Sequence, residues 1–318
     1  AVKVLGEGGL PSHDTRRWQS GPHLRVSLER LGAVFDYLER HDLRMYRMSS
    51  DVVPYGSHPE MPQFHAQVDE CAEELAALGE RARAGGLRLS VHPGQYVVLN
   101  SEDEAVRRGA ALDLELEAAL LDAMGLGPEA VVVLHVGGAA GGAEAAVDRF
   151  LAGFERLGER ARARLVIEND DARFGLADVL ALSGRTGLRV VWDALHHRCY
   201  DPDAIPPEEA LRLALATWGD GDGVPKIHYS SPRTAVAERK RRQGRRVERQ
   251  IVLPPLRAHA DLVDPIGFED FLRGPAAAAG RDFDVMLEAK AKDLALLRLR
   301  EQLGERGCEW RGGRLAHD

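Results

Sequence analysis

Histidine and carboxylate side chains stand at the ends of successive short β-branched runs along this chain, and that arrangement constrains the fold more than any other feature. The runs are Arg44 to Ser49, Leu87 to His92, Ala130 to Val136, Leu165 to Asn169, Leu188 to Asp193, Val224 to Tyr229 and Phe283 to Glu288. Between them lie stretches with apolar residues at helical spacing: Val26 to Arg40, Gln63 to Ala84, Glu102 to Met124, Ala143 to Arg160 and Pro207 to Thr217. Strand runs alternating with amphipathic helices give parallel strands joined by crossover helices. Pro207 suits a helix start and Gly125 a helix stop. Each strand-helix unit takes roughly 25–45 residues, so eight units fill the chain at the size of a TIM-type barrel. The expected fold is therefore α/β, a TIM-type (β/α)8 barrel. Its first strand is short or incomplete, because only Val2 to Leu5 is available to open it and Gly6, Gly8 and Gly9 follow. Residues 1–304 are expected to form a single barrel and 305–318 a C-terminal tail.

Composition narrows the function. With 44% hydrophobic residues among 318, the chain can bury a core of this size as one domain. Cys71, Cys199 and Cys308 are scattered without C-x-x-C pairing, which points to a reducing compartment. No apolar run approaches the roughly 20 residues of a membrane span, and the N-terminal stretch lacks a signal-peptide core. A cytoplasmic protein without membrane contact is expected. The net charge of −8 excludes a uniformly basic coat, so any contact with nucleic acid has to be local. One segment meets that condition: seven of the twelve residues from Glu238 to Arg249 are Lys or Arg. Arg239, Arg241, Arg242, Arg245 and Arg246 follow the strand bearing His228, so they are expected to rise at the barrel mouth and meet DNA phosphates. The alternative is a solvated basic helix that touches nothing.

Active sites of such barrels are built at the C-terminal ends of the strands, where polar residues distant in sequence converge. His92, His135, Glu168, Asp193 followed by His196, His228 and Glu288 occupy those positions, and His259 follows in a loop. Imidazole nitrogens and carboxylate oxygens are ligands for borderline divalent metals. One histidine at a strand end is more often a structural residue, but seven or eight ionisable groups at one mouth would cost several kcal/mol without a compensating ion. The set exceeds what one ion binds, so two or three divalent ions sharing carboxylates are expected, an arrangement suited to phosphodiester hydrolysis. Lys226 lies two residues before His228 and points the same way. It either pairs with a carboxylate or has a lowered pKa that permits carbamylation.

The blocks Leu89 to Tyr96 (LSVHPGQY), Leu134 to Gly138 (LHVGG), Ile167 to Asp171 (IENDD), Trp192 to His197 (WDALHH), Lys226 to Ser231 (KIHYSS) and His259 to Asp261 (HAD) resemble, in order, the motifs of the UV damage endonuclease family. The resemblance spans roughly Met45 to Lys290. It implies a TIM barrel with a multinuclear site, typically using manganese, that acts on double-stranded DNA carrying UV lesions. The family hydrolyses the phosphodiester on the 5′ side of pyrimidine dimers and 6-4 photoproducts. By the same resemblance the metal ligands are His92, His135, Glu168, Asp193, His196, His228, His259 and Glu288. Glu168, Lys226 and Glu288 are the expected catalytic positions, Lys226 matching the family's active-site lysine, and the resemblance implies that Gln95 and Tyr96 probe the damaged site from the opposite side of the duplex. Two features depart from the family pattern: Gly6 is followed by Glu7 where a Gly-Tyr element is usual, and the basic Glu238 to Arg249 insertion precedes His259.

Other readings share parts of this pattern. An abasic-site endonuclease of the endonuclease IV type has the same barrel and ligand chemistry but not the HPGQY block. A sugar isomerase of the xylose isomerase type uses two metals and needs no basic rim. A catalytically silent DNA-binding or metal-storage protein would have no need of the full ligand set.

Overall fold

Runs such as Val132 to Leu134 and Leu165 to Ile167 are apolar at every position, the signature of strands covered on both faces, and the computed structural model buries them completely. Residues 3–243 and 246–316 are described. Five strands, β1 (Met45–Met48), β2 (Arg88–Val91), β3 (Val132–His135), β4 (Leu165–Glu168) and β5 (Arg189–Val191), form one parallel sheet in chain order. A single parallel bridge, Asp193 to His228, carries the sheet on to β6 (Lys226–Tyr229). The arginine-rich segment folds as an antiparallel hairpin of β7 (Ala237–Gln243) and β8 (Arg246–Val252), not as a helix. After it comes β9 (Asp284–Leu287), which pairs in parallel with β6. All seven strand runs read from the sequence are thus present.

The opening segment makes no ladder with the barrel; among the described residues its one pairing is an antiparallel bridge from Val4 to Leu10. It is fixed by side chains instead. Leu5 and Gly6 donate their amides to Asp293, at 2.7 and 2.9 Å, and Tyr37 donates its hydroxyl to the same carboxylate at 2.9 Å. Gly6 passes so close to the Tyr37 hydroxyl that any side chain would collide with it.

Helices cover the outside because their apolar stripes match the sheet. The helix Leu24–Arg40 buries Leu24, Leu28, Leu31, Val34, Phe35 and Leu38, and Glu104–Ala123 is capped by Asp103, which accepts from the Ala105 amide at 2.8 Å. The expected Ala143 to Arg160 helix divides into Ala143–Glu155 and Glu159–Arg164, and Gln63 to Ala84 into Gln67–Glu70 and Ala72–Ala84. Beyond the last helix, Lys292–Glu305, the chain forms a small hairpin of Glu309–Arg311 and Arg314–Ala316, where Trp310 stacks under the Arg300 guanidinium at 4.8 Å.

Strand alternation sorts the barrel interior into layers. Val133, Val166 and Val191 form a buried cluster of their own with Val131 and Trp218. Two residues further along the same strands come His135, Glu168 and Asp193, so the apolar layer is the floor on which the polar layer rests.

Candidate metal centre

Glu168 ends β4 fully buried, with imidazoles on both sides of its carboxylate. Its Oε2 lies 3.0 Å from His92 Nε2 and 3.7 Å from His135 Nε2, while Oε1 lies 2.9 Å from His228 Nδ1 and 3.4 Å from His196 Nδ1. The rings form an arc. Centroids are 5.9 Å apart from His228 to His92, 5.3 Å from His92 to His135, 5.5 Å from His135 to His196 and 6.0 Å from His196 to His259. Glu288, just beyond β9, completes the ring. Its carboxylate is 3.5 Å from His228 and 3.7 Å from His259.

Three overlapping groups bring ligand atoms within 4.8 Å of one another: His92, His135 and Glu168; His92, His228 and Glu288; and Glu168, Asp193, His228 and Glu288. His196 and His259 stand outside these groups, beside Asp193 and Glu288 respectively. The donor set suits cations of the zinc and manganese kind. A more specific sign of fit is Asp193, fully buried, whose Oδ2 has no hydrogen-bond partner. A bare carboxylate oxygen in a dry site is stabilised either by keeping its proton or by a cation beside it, and a bound metal ion would supply the latter.

Backbone carbonyls prepare the imidazoles. Nδ1 of His196 donates to the Asn169 carbonyl at 3.0 Å, that of His259 to Glu288 at 2.8 Å and that of His92 to Pro93 at 3.2 Å. Because a carbonyl only accepts, each bond fixes the proton on Nδ1 and leaves the Nε2 lone pair for a metal. Asn169 also clasps Asp193, accepting from its amide at 2.9 Å and donating to its carbonyl at 3.1 Å.

The electrostatics set the carboxylates apart. Burial pushes Glu168 up, but the surrounding imidazoles, His228 and His135 foremost, outweigh it and hold the group well below the usual range. Burial also opposes ionisation of Glu288, yet Arg47 and His228 keep it low. Asp193 goes the other way, raised to about 8 by burial with Glu168 and Glu288 adding to the effect against His196. Burial lowers His228 to about 4.

Two residues of the site do not stand out in the sequence. Arg47, on β1, pairs with Glu288 Oε1 and donates from Nη2 to His228 Nε2 at 2.9 Å. The run Arg44 to Ser49 reads as a strand, and period two from buried neighbours is the available signal for Arg47. Asn169 is visible only as part of the IENDD block. Lys226 lies one layer beneath the ligands, fully buried, donating to Ser90 Oγ at 3.1 Å and, among the described residues, to no carboxylate. Burial, reinforced by Arg47 and Arg88, lowers its pKa far below that of a free lysine.

At the mouth, Gly94 accepts from the Val97 amide at 3.0 Å, closing a turn whose corners are Gln95 and Tyr96. Both are exposed, Tyr96 to 81%. The stem of the β7–β8 hairpin is tied to the segment carrying His259: Arg233 donates its amide to Ala258 at 2.6 Å, Ala260 donates to Ser231 at 2.9 Å, and Pro232 bridges to His259. The backbones of Arg239, Arg241, Arg242 and Arg246 therefore project from the rim of the site. Arg245 lies outside the described residues.

A family model described as UV-endonuclease UvdE matches residues 25–308. The chain belongs to the UvdE family. Its relatives include the UV DNA damage endonucleases of Bacillus pumilus (strain SAFR-032), 34% identical over 86% of this chain and 79% of that protein, and of Bacillus mycoides (strain KBAB4), 30% identical over 86% and 79%. The crystal structure of SacUVDE superposes with a TM-score of 0.76 at 30% identity, covering 93% of this chain and 94% of the other. The 3-keto-D-glucoside 4-epimerase YcjR of E. coli, 13% identical with a TM-score of 0.52 over 87% and 92%, shares the barrel fold alone. No helix among the described residues is long and apolar enough to cross a membrane.

Proposed function

We propose that this UvdE member is a metal-dependent endonuclease that hydrolyses the phosphodiester on the 5′ side of a UV photoproduct in double-stranded DNA. The observation that carries the reading is the position of Glu168: one carboxylate oxygen faces His92 and His135, the other faces His228 and His196. Glu168 would hold divalent cations together with the neighbouring histidines and carboxylates. Divalent ions held there, manganese in our reading, would supply Lewis acidity and a lowered pKa for a water nucleophile.

The chain's own residues supply the rest. His92 and His135 hold one side of Glu168, while Asp193, His228 and Glu288 hold the other; His196 and His259 offer Nε2 at the edge for a third ion. Arg47 places a guanidinium against Glu288 and His228, where it offsets negative charge in a site that must accept a phosphodiester. Lys226, buried with its pKa held well below that of a free lysine, lies below the ligands. Gln95 and Tyr96 present an amide and an aromatic ring to a duplex at the mouth, and the arginine-rich hairpin meets the phosphates.

Supercoiled plasmid, irradiated, depurinated or undamaged, tests the reading in one assay. Nicking confined to irradiated plasmid, lost on chelation and restored by manganese, is expected. Preference for the depurinated plasmid would assign the chain to abasic sites instead.

A further inference from the structure

Arg47 holds two residues of the metal centre at once. Its Nη1 pairs with Glu288 Oε1 and its Nη2 donates to His228 Nε2 at 2.9 Å, while its buried Nε has no hydrogen-bond partner among the described residues. The choice of partners is selective. Of the three groups whose ligand atoms lie within 4.8 Å of one another, two contain both His228 and Glu288, whereas the third, His92 with His135 and Glu168, contains neither. The guanidinium therefore sits on the pair of ligands that those two groups share.

His228 cannot serve the guanidinium and an ion together. A neutral imidazole has one N–H and one lone pair, and a guanidinium has donors only. Nδ1 of His228 lies 2.9 Å from Glu168 Oε1, and an ionised carboxylate only accepts, so Nδ1 carries the N–H. The lone pair is then on Nε2, where Arg47 uses it. An ion needs that lone pair. Bound at Nε2, it takes the place of the Arg47 Nη2. Bound at Nδ1, it leaves the N–H on Nε2, where two donors then face each other. Either way the bond between Arg47 and His228 is lost. An ion held by His92, His135 and Glu168 meets no such conflict, since among the described residues Arg47 donates to none of the three.

Resting on the metal-centre reading, we propose that Arg47 is a resident cation which a divalent ion must displace from His228, and that the centre therefore fills in order. The position of His92, His135 and Glu168 loads first. A position on His228 and Glu288 loads after it and more weakly, because its ion must first break a hydrogen bond to a charged group. Until that ion arrives, the guanidinium neutralises Glu288 and occupies the imidazole lone pair, so the buried ligands are not left facing one another without a cation. Arg47 acts through His228 and Glu288, as a positioning residue that separates the affinities of the two sites.

The test titrates manganese into metal-stripped wild type and Arg47→Met, reading free ion by electron paramagnetic resonance, with a melting temperature taken for each protein. Wild type should bind in separate steps. In Arg47→Met a later step should tighten roughly ten- to hundredfold, the worth of one hydrogen bond to a charged group, while the first step moves by less than about twofold. Equal tightening of every step would show the charge acting through space on all ions alike, and it overturns the proposal, as does an unchanged titration. Crystals of wild type, stripped and manganese-soaked, give a second measurement that needs no variant to fold. With an ion on His228, Arg47 Nη2 should lie beyond hydrogen-bond distance of Nε2; an ion there with the bond intact overturns the displacement. Ions that bind to none of these histidines and carboxylates overturn the metal-centre reading first, and the role of Arg47 with it.

Discussion

The guanidinium of Arg47 on β1 pairs with the carboxylate of Glu288 beyond β9, across a seam where the described sheet has no backbone pairing. The same guanidinium reaches His228, so one side chain both closes the barrel and holds positive charge among the ligands.

Arg47→Met should therefore destabilise the metal-free protein by about 3 kcal/mol, because removing one partner of a buried ion pair strands the other. Manganese should recover more stability in the variant than in wild type, since a divalent ion takes over the neutralisation of Glu288. Thermal melts of metal-stripped protein, with and without added manganese, measure both effects. An unchanged melting temperature would show that the pair is idle.

Glu168→Gln should reduce nicking of irradiated plasmid at least roughly a hundredfold, since an amide neither carries the charge nor bridges two cations well. Metal content per chain should fall with it. Wild-type turnover at full metal occupancy would remove Glu168 from the centre of the mechanism.

Replacing both Gln95 and Tyr96 with Ala should leave metal occupancy intact while discrimination between irradiated and intact duplex drops by about tenfold or more, the worth of one base stacked on an aromatic ring. Binding isotherms on the two duplexes supply the ratio. If it stays at the wild-type value, damage is read elsewhere.

Changing Arg239, Arg241, Arg242, Arg245 and Arg246 to Gln should weaken binding to damaged and undamaged duplex alike. The slope of log affinity against log salt should flatten by about 0.9 for each phosphate that the variant no longer neutralises. A titration from low to physiological salt decides it, and an identical slope would mean that the hairpin does not touch DNA.

Glu117, on the helix Glu104–Ala123, is buried with its Oε2 lacking a hydrogen-bond partner, and Glu117→Gln should stabilise the protein at neutral pH and not in acid. A carboxyl whose folded pKa is raised holds its proton while the unfolded chain releases it, so its cost appears as pH rises above the unfolded value near 4.5 and grows toward the folded one. Asp113 and Asp51, which face it, remain in the variant. Melts of both proteins across the acid-to-neutral range should converge at low pH and diverge above it.

The sequence by itself determined the alternation of strands and helices and the polar residue ending each strand. Those are local properties, carried by side-chain periodicity and by which residues tolerate burial on both faces. His92, His135, Glu168, Asp193, His228 and Glu288 were legible for that reason, since parallel strands bring their C-terminal ends to one mouth wherever such a barrel forms. Register and long-range contact were not legible. Only the tertiary structure put Arg47 against Glu288, because nothing near either residue encodes a meeting 241 positions apart. It also decided that residues 3–5 of the opening segment contribute no ladder to the barrel among the described residues; Asp293, itself bonded by Tyr37, accepts from the Leu5 and Gly6 amides instead. The arginine-rich insertion became a hairpin because the 231–233 and 258–260 segments pair at its base, a pairing set by where the barrel places its two ends.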